Sequence, residues 1–118
     1  PHRVAENGAV TRLTVLARNP VVSEQVWSGE YGYPGDGRYL EFHKRHGMRG
    51  LRYWRVTGRG LDLAFKQIYD PEAAKAAARE HAAHFVASLR EQLQGHREST
   101  GRSGIVCAPF DAELFGHW

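Results

Sequence analysis

A long amphipathic segment in the second half of the chain constrains the fold more than any other feature. Asp70 is a typical N-cap residue, Pro71 suits the first helical position and Glu72 the first turn, which predicts a helix from about residue 70 to 94. Gly95 fits the end of such a helix. One apolar stripe follows the helical period: Ala78, Ala82, Phe85, Leu89 and Leu93. Because this stripe must be buried, the helix needs a sheet to pack on.

Three shorter segments are candidates to form that sheet. Residues 10–16 alternate with a period of about two and are rich in β-branched side chains, which predicts a strand. Residues 51–57 alternate in a similar way and predict a strand or an extended segment. Residues 104–108 are a short apolar run after the long helix, and we predict a buried strand there. A helix followed by a buried strand is typical of α/β folds.

The region between the first two candidate strands mixes large aromatic residues with glycines. Residues 21–37 contain Trp27, Tyr31 and Tyr33 beside four glycines, which predicts an ordered aromatic loop and no regular helix. Asp36 is placed to cap a short helix that runs to His46. Two uses stay open for the aromatic side chains, since they could pack into the core or stack on a sugar ring.

These elements are too few to close a barrel or a layered sheet. A chain of 118 residues can form one small domain. Two or three strands and one long helix nevertheless leave a sheet incomplete. We therefore expect an α/β chain that is one part of a larger structure and does not fold stably by itself.

The composition argues against several classes of partner. The net charge is +3, but basic and acidic residues are interspersed, so we expect a solvated surface and no nucleic-acid partner. The sequence has no run of 18 apolar residues, so we expect no membrane span, and its first residues do not resemble a signal peptide.

The cysteine and the histidines predict no metal site. Cys107 is the single cysteine, which leaves no intramolecular disulfide and no cysteine-rich zinc site, and we expect it to be a buried strand residue. The seven histidines are dispersed, and His81 is expected to be a packed or half-exposed helix residue and not a ligand. We therefore predict no cofactor and a reducing, cytoplasmic location.

The last residues combine a carboxylate with aromatic side chains. Asp111 follows the predicted strand 104–108, and residues at the C-terminal ends of strands face the active site in α/β barrels. Apolar neighbours favour a protonated carboxyl group, which suits a general acid. The aromatic neighbours are Phe110, Phe115, His117 and Trp118. Asp111 could equally cap a turn through its side chain, and the residues alone leave both roles open. Glu113 is expected to be structural.

Two long motifs resemble glycoside hydrolase family 57. Residues 110–118 (FDAELFGHW) resemble the fourth conserved motif of that family. A second run resembles the branching-enzyme group of the family. It starts at Val26-Trp27-Ser28 and continues through residues 32–36, 39–43 and 51–57. The resemblance extends from about residue 14 to residue 118.

This resemblance implies a fold and an activity. It implies the C-terminal part of an incomplete, seven-stranded (β/α) barrel, in a retaining enzyme that cleaves α-1,4 links of an α-glucan and forms α-1,6 links. Asp111 matches the acid/base residue, and Trp27 matches an aromatic substrate-contacting position. His117 and Trp118 match residues that line the same cleft, and Tyr33 is predicted as a further substrate-binding residue of the loop.

The resemblance is incomplete in one important respect. The nucleophilic glutamate and the first motif of the family, with its paired histidines, have no counterpart in this chain. We therefore predict that the chain is inactive alone and that its partners are an α-glucan and the remainder of the same enzyme. Two alternatives stay open: a relative that acts as an α-amylase or 4-α-glucanotransferase, and a non-enzymatic binding module for glycans.

Overall fold

The computed structural model describes residues 2–48, 50–58 and 62–111. It contains two strands, two helices and two short 3₁₀ turns in the following order: β1 (His2–Glu6), β2 (Ala9–Val15), α1 (Pro20–Trp27), the turns Tyr33–Gly35 and Leu63–Phe65, and α2 (Pro71–Thr100). None of the described helices has the length and apolar character that a membrane crossing requires.

Strands β1 and β2 form an antiparallel hairpin at the start of the chain. Their register pairs His2 with Val15 and Glu6 with Ala9, and the irregularity between Arg3 and Ala5 indicates a bulge. Asn7 and Gly8 have φ values of 50° and 79°. Two positive φ angles in succession are what a tight hairpin turn requires. The strand predicted at residues 10–16 is confirmed, whereas its partner β1 was not predicted.

Helix α1 corrects the prediction that residues 21–37 form a loop throughout. The side chain of Asn19 accepts a hydrogen bond from the Val22 amide, and Pro20 occupies the first turn. Asn-Pro therefore begins a helix here as well as ending the preceding strand. The aromatic and glycine-rich composition belongs to the second half of the segment, residues 28–37, which we call the aromatic loop.

Helix α2 begins where the sequence predicted and ends later. The Asp70 side chain accepts from the amides of Glu72 and Ala73, as expected of an N-cap. The helix continues through Gly95 and ends at Gly101, whose φ of 68° forms a left-handed cap. The prediction that Gly95 ends the helix was wrong because an interior glycine costs only about 1 kcal/mol, which the surrounding helix-favouring residues offset.

The buried face of α2 is partly different from the predicted stripe. Ala74 and Ala77 are buried, with 6% and 0% of their surface exposed, whereas Ala78 and Ala82 are exposed. In the C-terminal half of α2 the predicted stripe does lie on the packed face, since Phe85, Leu89 and Leu93 are half-buried. The error arises because a run of alanines has the same hydrophobicity on several faces of a helix, so that the sequence does not fix which face packs.

The middle of the chain is held by single antiparallel bridges. Leu40 pairs with Arg55, His46 with Leu51, and Trp54 with Ile68. Residues 51–57 are thus an extended segment with no regular strand, which agrees with the second of the two forms predicted.

The short helix predicted from Asp36 to His46 is absent. The Asp36 carboxylate accepts from the amide of Arg38, two residues on, as in an Asx turn, and the same carboxylate binds the Arg38 guanidinium. A carboxylate engaged in this way forms a turn and does not cap a helix.

The strand predicted at residues 104–108 is also absent from the described chain. These residues have no regular secondary structure, and the Cys107 carbonyl accepts one hydrogen bond, 2.8 Å long, from the Asn19 amide. Cys107 is half-buried, where a buried strand residue was expected.

The described residues share only a small core. Its buried apolar side chains are those of Val22, Trp54, Ala74 and Ala77. The radius of gyration is 19.5 Å, whereas a compact domain of this length has about 13–14 Å. The chain is extended because the hairpin and α2 project from this core.

Candidate functional site

Trp27 lies at the mouth of a cleft formed where α1 ends. It is the last residue of α1, and 36% of its surface is exposed. The cleft has a volume of about 400 Å³, and its lining includes Trp27, Pro34, Glu41, Phe42 and His43. We call it the Trp27 cleft. An indole ring beside polar groups is the combination expected of a site for a flat apolar face edged with hydroxyls, such as a sugar ring.

A carboxylate of this cleft, that of Glu41, forms an ion pair with a buried lysine. The Lys66 side chain is 1% exposed, and its Nζ lies 2.9 Å from Oε2 of Glu41. Burial alone would raise the pKa of Glu41, but the hydrogen bonds from Lys66 and from the His43 amide outweigh it, so the pKa is lowered. Glu41 is therefore ionised at neutral pH and can accept hydrogen bonds from a ligand.

The aromatic loop is wound tightly onto the end of α1. Ser28 Oγ accepts hydrogen bonds from the amides of Glu30 and Tyr31, and the Gly32 amide donates to the Ser28 carbonyl. A Cβ on Gly32 would lie 2.5 Å from the Gln25 carbonyl oxygen. Glycine is thus required at this position because the loop backbone touches the carbonyl groups that end the helix.

A charged cluster fixes the far end of the loop to α2. The Arg38 guanidinium lies 2.7 Å from Asp36 Oδ2 on one side and 2.7 Å from Glu80 Oε2 on the other. The side-chain hydrogen bond from Arg38 lowers the pKa of Asp36 to about 2. The same two carboxylates raise the pKa of Arg38. Asp36 is therefore ionised at neutral pH, and its carboxylate faces α2.

Two histidines of α2 contact the loop beside this cluster. His81 Nδ1 lies 2.8 Å from the Tyr39 hydroxyl, and His81 Nε2 lies 3.3 Å from Asp36 Oδ2. One turn further along α2, His84 Nδ1 lies 2.8 Å from the Tyr33 hydroxyl.

The tyrosines keep their protons in this environment. Burial, with the charge of Asp36, raises the pKa of Tyr39, and burial, with Tyr39, raises that of Tyr33. The direction of the hydrogen bond between the Tyr39 hydroxyl and Nδ1 of His81 depends on the tautomer of the imidazole ring.

The predicted catalytic residue lies at the end of the described chain. Asp111 is exposed, and its neighbour Phe110 is half-buried. The segment 104–111 meets α1 through the bond from Asn19 to Cys107, and the opposite end of α1 carries Trp27. Of the predicted aromatic surroundings, Phe115, His117 and Trp118 lie outside the described residues, as does Glu113.

The two loop aromatics predicted to bind substrate face different sides. Trp27 lines its cleft, whereas Tyr33 stacks on His81, with ring centroids 4.5 Å apart, and lines a different, apolar cavity beside Tyr39 and Tyr69. That Tyr33 binds sugar stays a prediction. In this structure its ring stacks on His81 and its hydroxyl group is hydrogen-bonded to His84, both on α2.

Three residues of this region were not foreseen as functional. They are Glu41, Asp36 and His81. An Asp-x-Arg pattern at residues 36–38 and histidines three apart on α2 were the available signals, but neither indicates which loop meets which helix. In the described part of the chain no group of three or more histidine, cysteine or acidic side chains is arranged to hold a metal ion.

Comparisons with known proteins define the class. The chain is 47% identical over 108 residues to the 1,4-α-glucan branching enzyme TK1436 of Thermococcus kodakarensis, and the match covers 92% of this chain and 16% of that enzyme. A probable 1,4-α-glucan branching enzyme of Mycobacterium tuberculosis is 44% identical over the same share of this chain, with 20% of its own length covered. No protein-family profile matches.

Solved structures give the same result for the backbone. The crystal structure of TK1436, a GH57 branching enzyme, superposes with a TM-score of 0.84 at 44% identity and covers 100% of this chain, which spans 21% of it. The α-amylase AmyC of Thermotoga maritima superposes with a TM-score of 0.73 at 38% identity over 86% of this chain and 23% of its own.

Over nearly its whole length, the chain is thus similar to 1,4-α-glucan branching enzymes, including enzymes of the GH57 type. It corresponds to one segment of these branching enzymes and spans between 16% and 21% of their length. The resemblance seen in the sequence is confirmed.

Proposed function

We propose that this chain is a segment of the catalytic domain of a retaining 1,4-α-glucan branching enzyme. The observations that carry the proposal are the match to a branching enzyme over 92% of the chain and the superposition of a solved branching-enzyme structure on 100% of it. The fold we propose for the whole domain is an incomplete (β/α)7 barrel, with this chain as its C-terminal part. A cytoplasmic location stays a prediction.

In the first step of the proposed reaction, Asp111 acts as the general acid. A glutamate from another part of the enzyme attacks the anomeric carbon of an α-1,4-linked glucose unit. The bond between that carbon and the glycosidic oxygen breaks, and the Asp111 proton passes to the departing oxygen. A glycosyl ester on the glutamate and an ionised Asp111 result.

In the second step, Asp111 acts as the general base. Its carboxylate accepts the proton of a glucan 6-hydroxyl group as that oxygen attacks the anomeric carbon. The ester bond breaks, the glutamate is regenerated and an α-1,6 link forms with net retention. The reaction branches glucan only when a sugar hydroxyl reaches the ester before water does.

The proposed role of the aromatic residues is to favour the sugar hydroxyl over water in the second step. Trp27 is exposed at the mouth of a cleft with the anionic Glu41, so its ring can pack on the apolar face of a glucose unit. A bound acceptor displaces water from the site and presents its hydroxyl group in place of water. Tyr33, His117 and Trp118 are proposed as further sugar contacts.

The products formed from amylose test this proposal. The full-length protein should generate α-1,6 links, seen as new anomeric proton signals, without an equal rise in reducing ends. The 118-residue chain by itself should be inactive, because it has no counterpart of the nucleophilic glutamate.

The likeness to the α-amylase AmyC supports a second candidate, hydrolysis of α-1,4 links. A hydrolase would raise reducing ends in proportion to the links cleaved and form no α-1,6 links. The same product analysis therefore separates the two activities.

A further inference from the structure

The His81 side chain contacts the segment that follows Trp27 at several points. Its Nδ1 meets the Tyr39 hydroxyl at 2.8 Å, its Nε2 meets the Asp36 carboxylate at 3.3 Å, and its ring stacks on Tyr33 at 23°. The ring also approaches Tyr39 edgewise, with centroids 5.5 Å apart. One half-buried side chain thus joins Tyr33 and Asp36 of the aromatic loop, and Tyr39 just after it, to α2.

Short backbone contacts connect these residues to Trp27. Gly35 precedes Asp36, and a Cβ on Gly35 would lie 2.6 Å from the Gly29 carbonyl oxygen. Gly29 follows Trp27 by two residues, and both Gly29 and Gly35 line the Trp27 cleft. A shift of Asp36 would therefore move one wall of the cleft, because little space separates Gly35 from Gly29.

We propose that His81 is a positioning residue that holds the aromatic loop against α2 and thereby sets the placement of Trp27 for glycosyl transfer. The role of His81 in glycosyl transfer rests on the proposed function, whereas its role in holding the loop against α2 does not. Helix α2 is 30 residues long and capped at both ends, so the helix does not depend on His81 to form. The contacts of His81 instead decide where the loop lies.

The first experiment measures the loop itself in the full-length protein. His81→Phe keeps a ring for stacking on Tyr33 and removes both nitrogen contacts. Lys75→Gln, which removes an exposed ion pair with Glu72 on the same helix, is the matched control. We expect the loop amides that close its turns to exchange hydrogen about tenfold faster in His81→Phe and unchanged in Lys75→Gln. Those amides are Gly32, Gly35 and Asp36.

The second readout is catalytic and separates positioning from stability. At a temperature where both variants are folded, His81→Phe should lower the kcat/KM for branching of amylose about tenfold. It should also raise the ratio of hydrolysis to transfer, because a displaced Trp27 no longer places the acceptor. In Lys75→Gln, the ratio of hydrolysis to transfer should equal that of the unmodified protein. A variant that lost only general stability would also leave this ratio unchanged, so a raised ratio indicates lost positioning.

Each outcome decides one part of the inference. Unchanged amide exchange in His81→Phe would overturn the holding role, and faster exchange with an unchanged transfer ratio would overturn the link to Trp27. A protein that forms no branches even when unmodified would refute the proposed function, while the exchange result would still test the loop.

A milder variant covers the case in which His81→Phe does not fold. Tyr39→Phe removes only the hydroxyl group that meets His81 Nδ1. It should speed loop exchange and raise the hydrolysis ratio in the same direction, by about two- to threefold. No change in either quantity would overturn the inference.

Discussion

The aromatic loop and the C-terminal segment 104–111 carry the two kinds of predicted site residue, and the chain holds them in very different ways. The loop is joined to α1 by glycine packing and to α2 by an ion-pair cluster and two histidines. The described C-terminal segment has one backbone hydrogen bond to α1, and its Ile105 is 64% exposed. Among the described residues, several contacts therefore fix the surroundings of Trp27, whereas Asp111 is exposed.

This difference follows from the kinds of residue in each region. Polar and aromatic side chains with fixed hydrogen-bonding geometry can organise a loop locally. An apolar extended segment gains order only when neighbouring strands pair with its backbone and cover its side chains. We expect such strands from the rest of the enzyme, since the matched segment is only 16% and 20% of the length of the two relatives.

The largest expected effect is at Asp111. In the full-length protein, Asp111→Asn should lower the branching rate on amylose about 10²–10⁴-fold, because the proton donor and acceptor is lost. Glucan affinity, measured by calorimetry, should stay nearly the same. Full retained activity would remove Asp111 from the mechanism. The C-terminal segment would then carry no catalytic residue to compare with the aromatic loop.

Trp27→Ala should have a smaller effect on the reaction and little on folding. Branching kcat/KM should fall about tenfold, or about 1.4 kcal/mol in transition-state binding, through lost packing on the sugar. Because Trp27 is partly exposed, the free energy of unfolding should fall by only about 1 kcal/mol or less. Tyr31→Ala is the matched control, since Tyr31 lies on the same loop with 73% of its surface exposed. Equal kinetics in both variants would make Trp27 a packing residue.

Two glycine substitutions test how tightly the loop is packed. Gly32→Ala would place a Cβ within 2.8 Å of three carbonyl oxygens and should destabilise the protein by about 1–3 kcal/mol. Gly95→Ala meets open space within α2 and should stabilise it by about 0.5–1 kcal/mol. Thermal unfolding midpoints measure both. A neutral Gly32→Ala would show that the loop is not wound as tightly as described.

The smallest expected effect is the acid dependence of the ion-pair cluster. The Arg38 hydrogen bond holds the pKa of Asp36 at about 2, below the ordinary aspartate value of about 3.9. A lowered pKa contributes stability above about pH 4, and this contribution is lost as the pH falls towards about 2.

Asp36→Asn measures this contribution directly. The difference in unfolding midpoint between the unmodified protein and this variant should be constant above about pH 5 and shrink at lower pH. A difference that does not change with pH would show that the Asp36 charge does not contribute to holding the loop.

Helices and strands were predicted correctly from the sequence where the residues themselves mark them, by capping residues or by alternation. The start of α2 followed from Asp70 and Pro71, and the strand β2 followed from alternation. Helix α1 was missed because Asn19-Pro20 was interpreted only as the end of a strand. The strand predicted at residues 104–108 failed because apolar character alone does not supply a pairing partner.

The candidate site was predictable only where a long motif marks it. Asp111 and Trp27 were predicted by resemblance to a family, and Trp27 does line a cleft, while the catalytic role of Asp111 stays a prediction. Glu41, Lys66 and His81 were not found, because their contacts join residues 25 to 45 positions apart. Local patterns do not indicate such pairs.

Rescue of the Asp111→Asn variant by azide tests the central claim most directly. Azide attacks a glycosyl ester without needing a general base, so it can replace the acceptor when Asp111 is absent. With an α-glucosyl fluoride, whose leaving group needs no general acid, the full-length variant should form α-glucosyl azide and turn over faster as azide is added. A variant that branches amylose at the unmodified rate, or that yields no glycosyl azide, would contradict the assignment of Asp111 as acid/base.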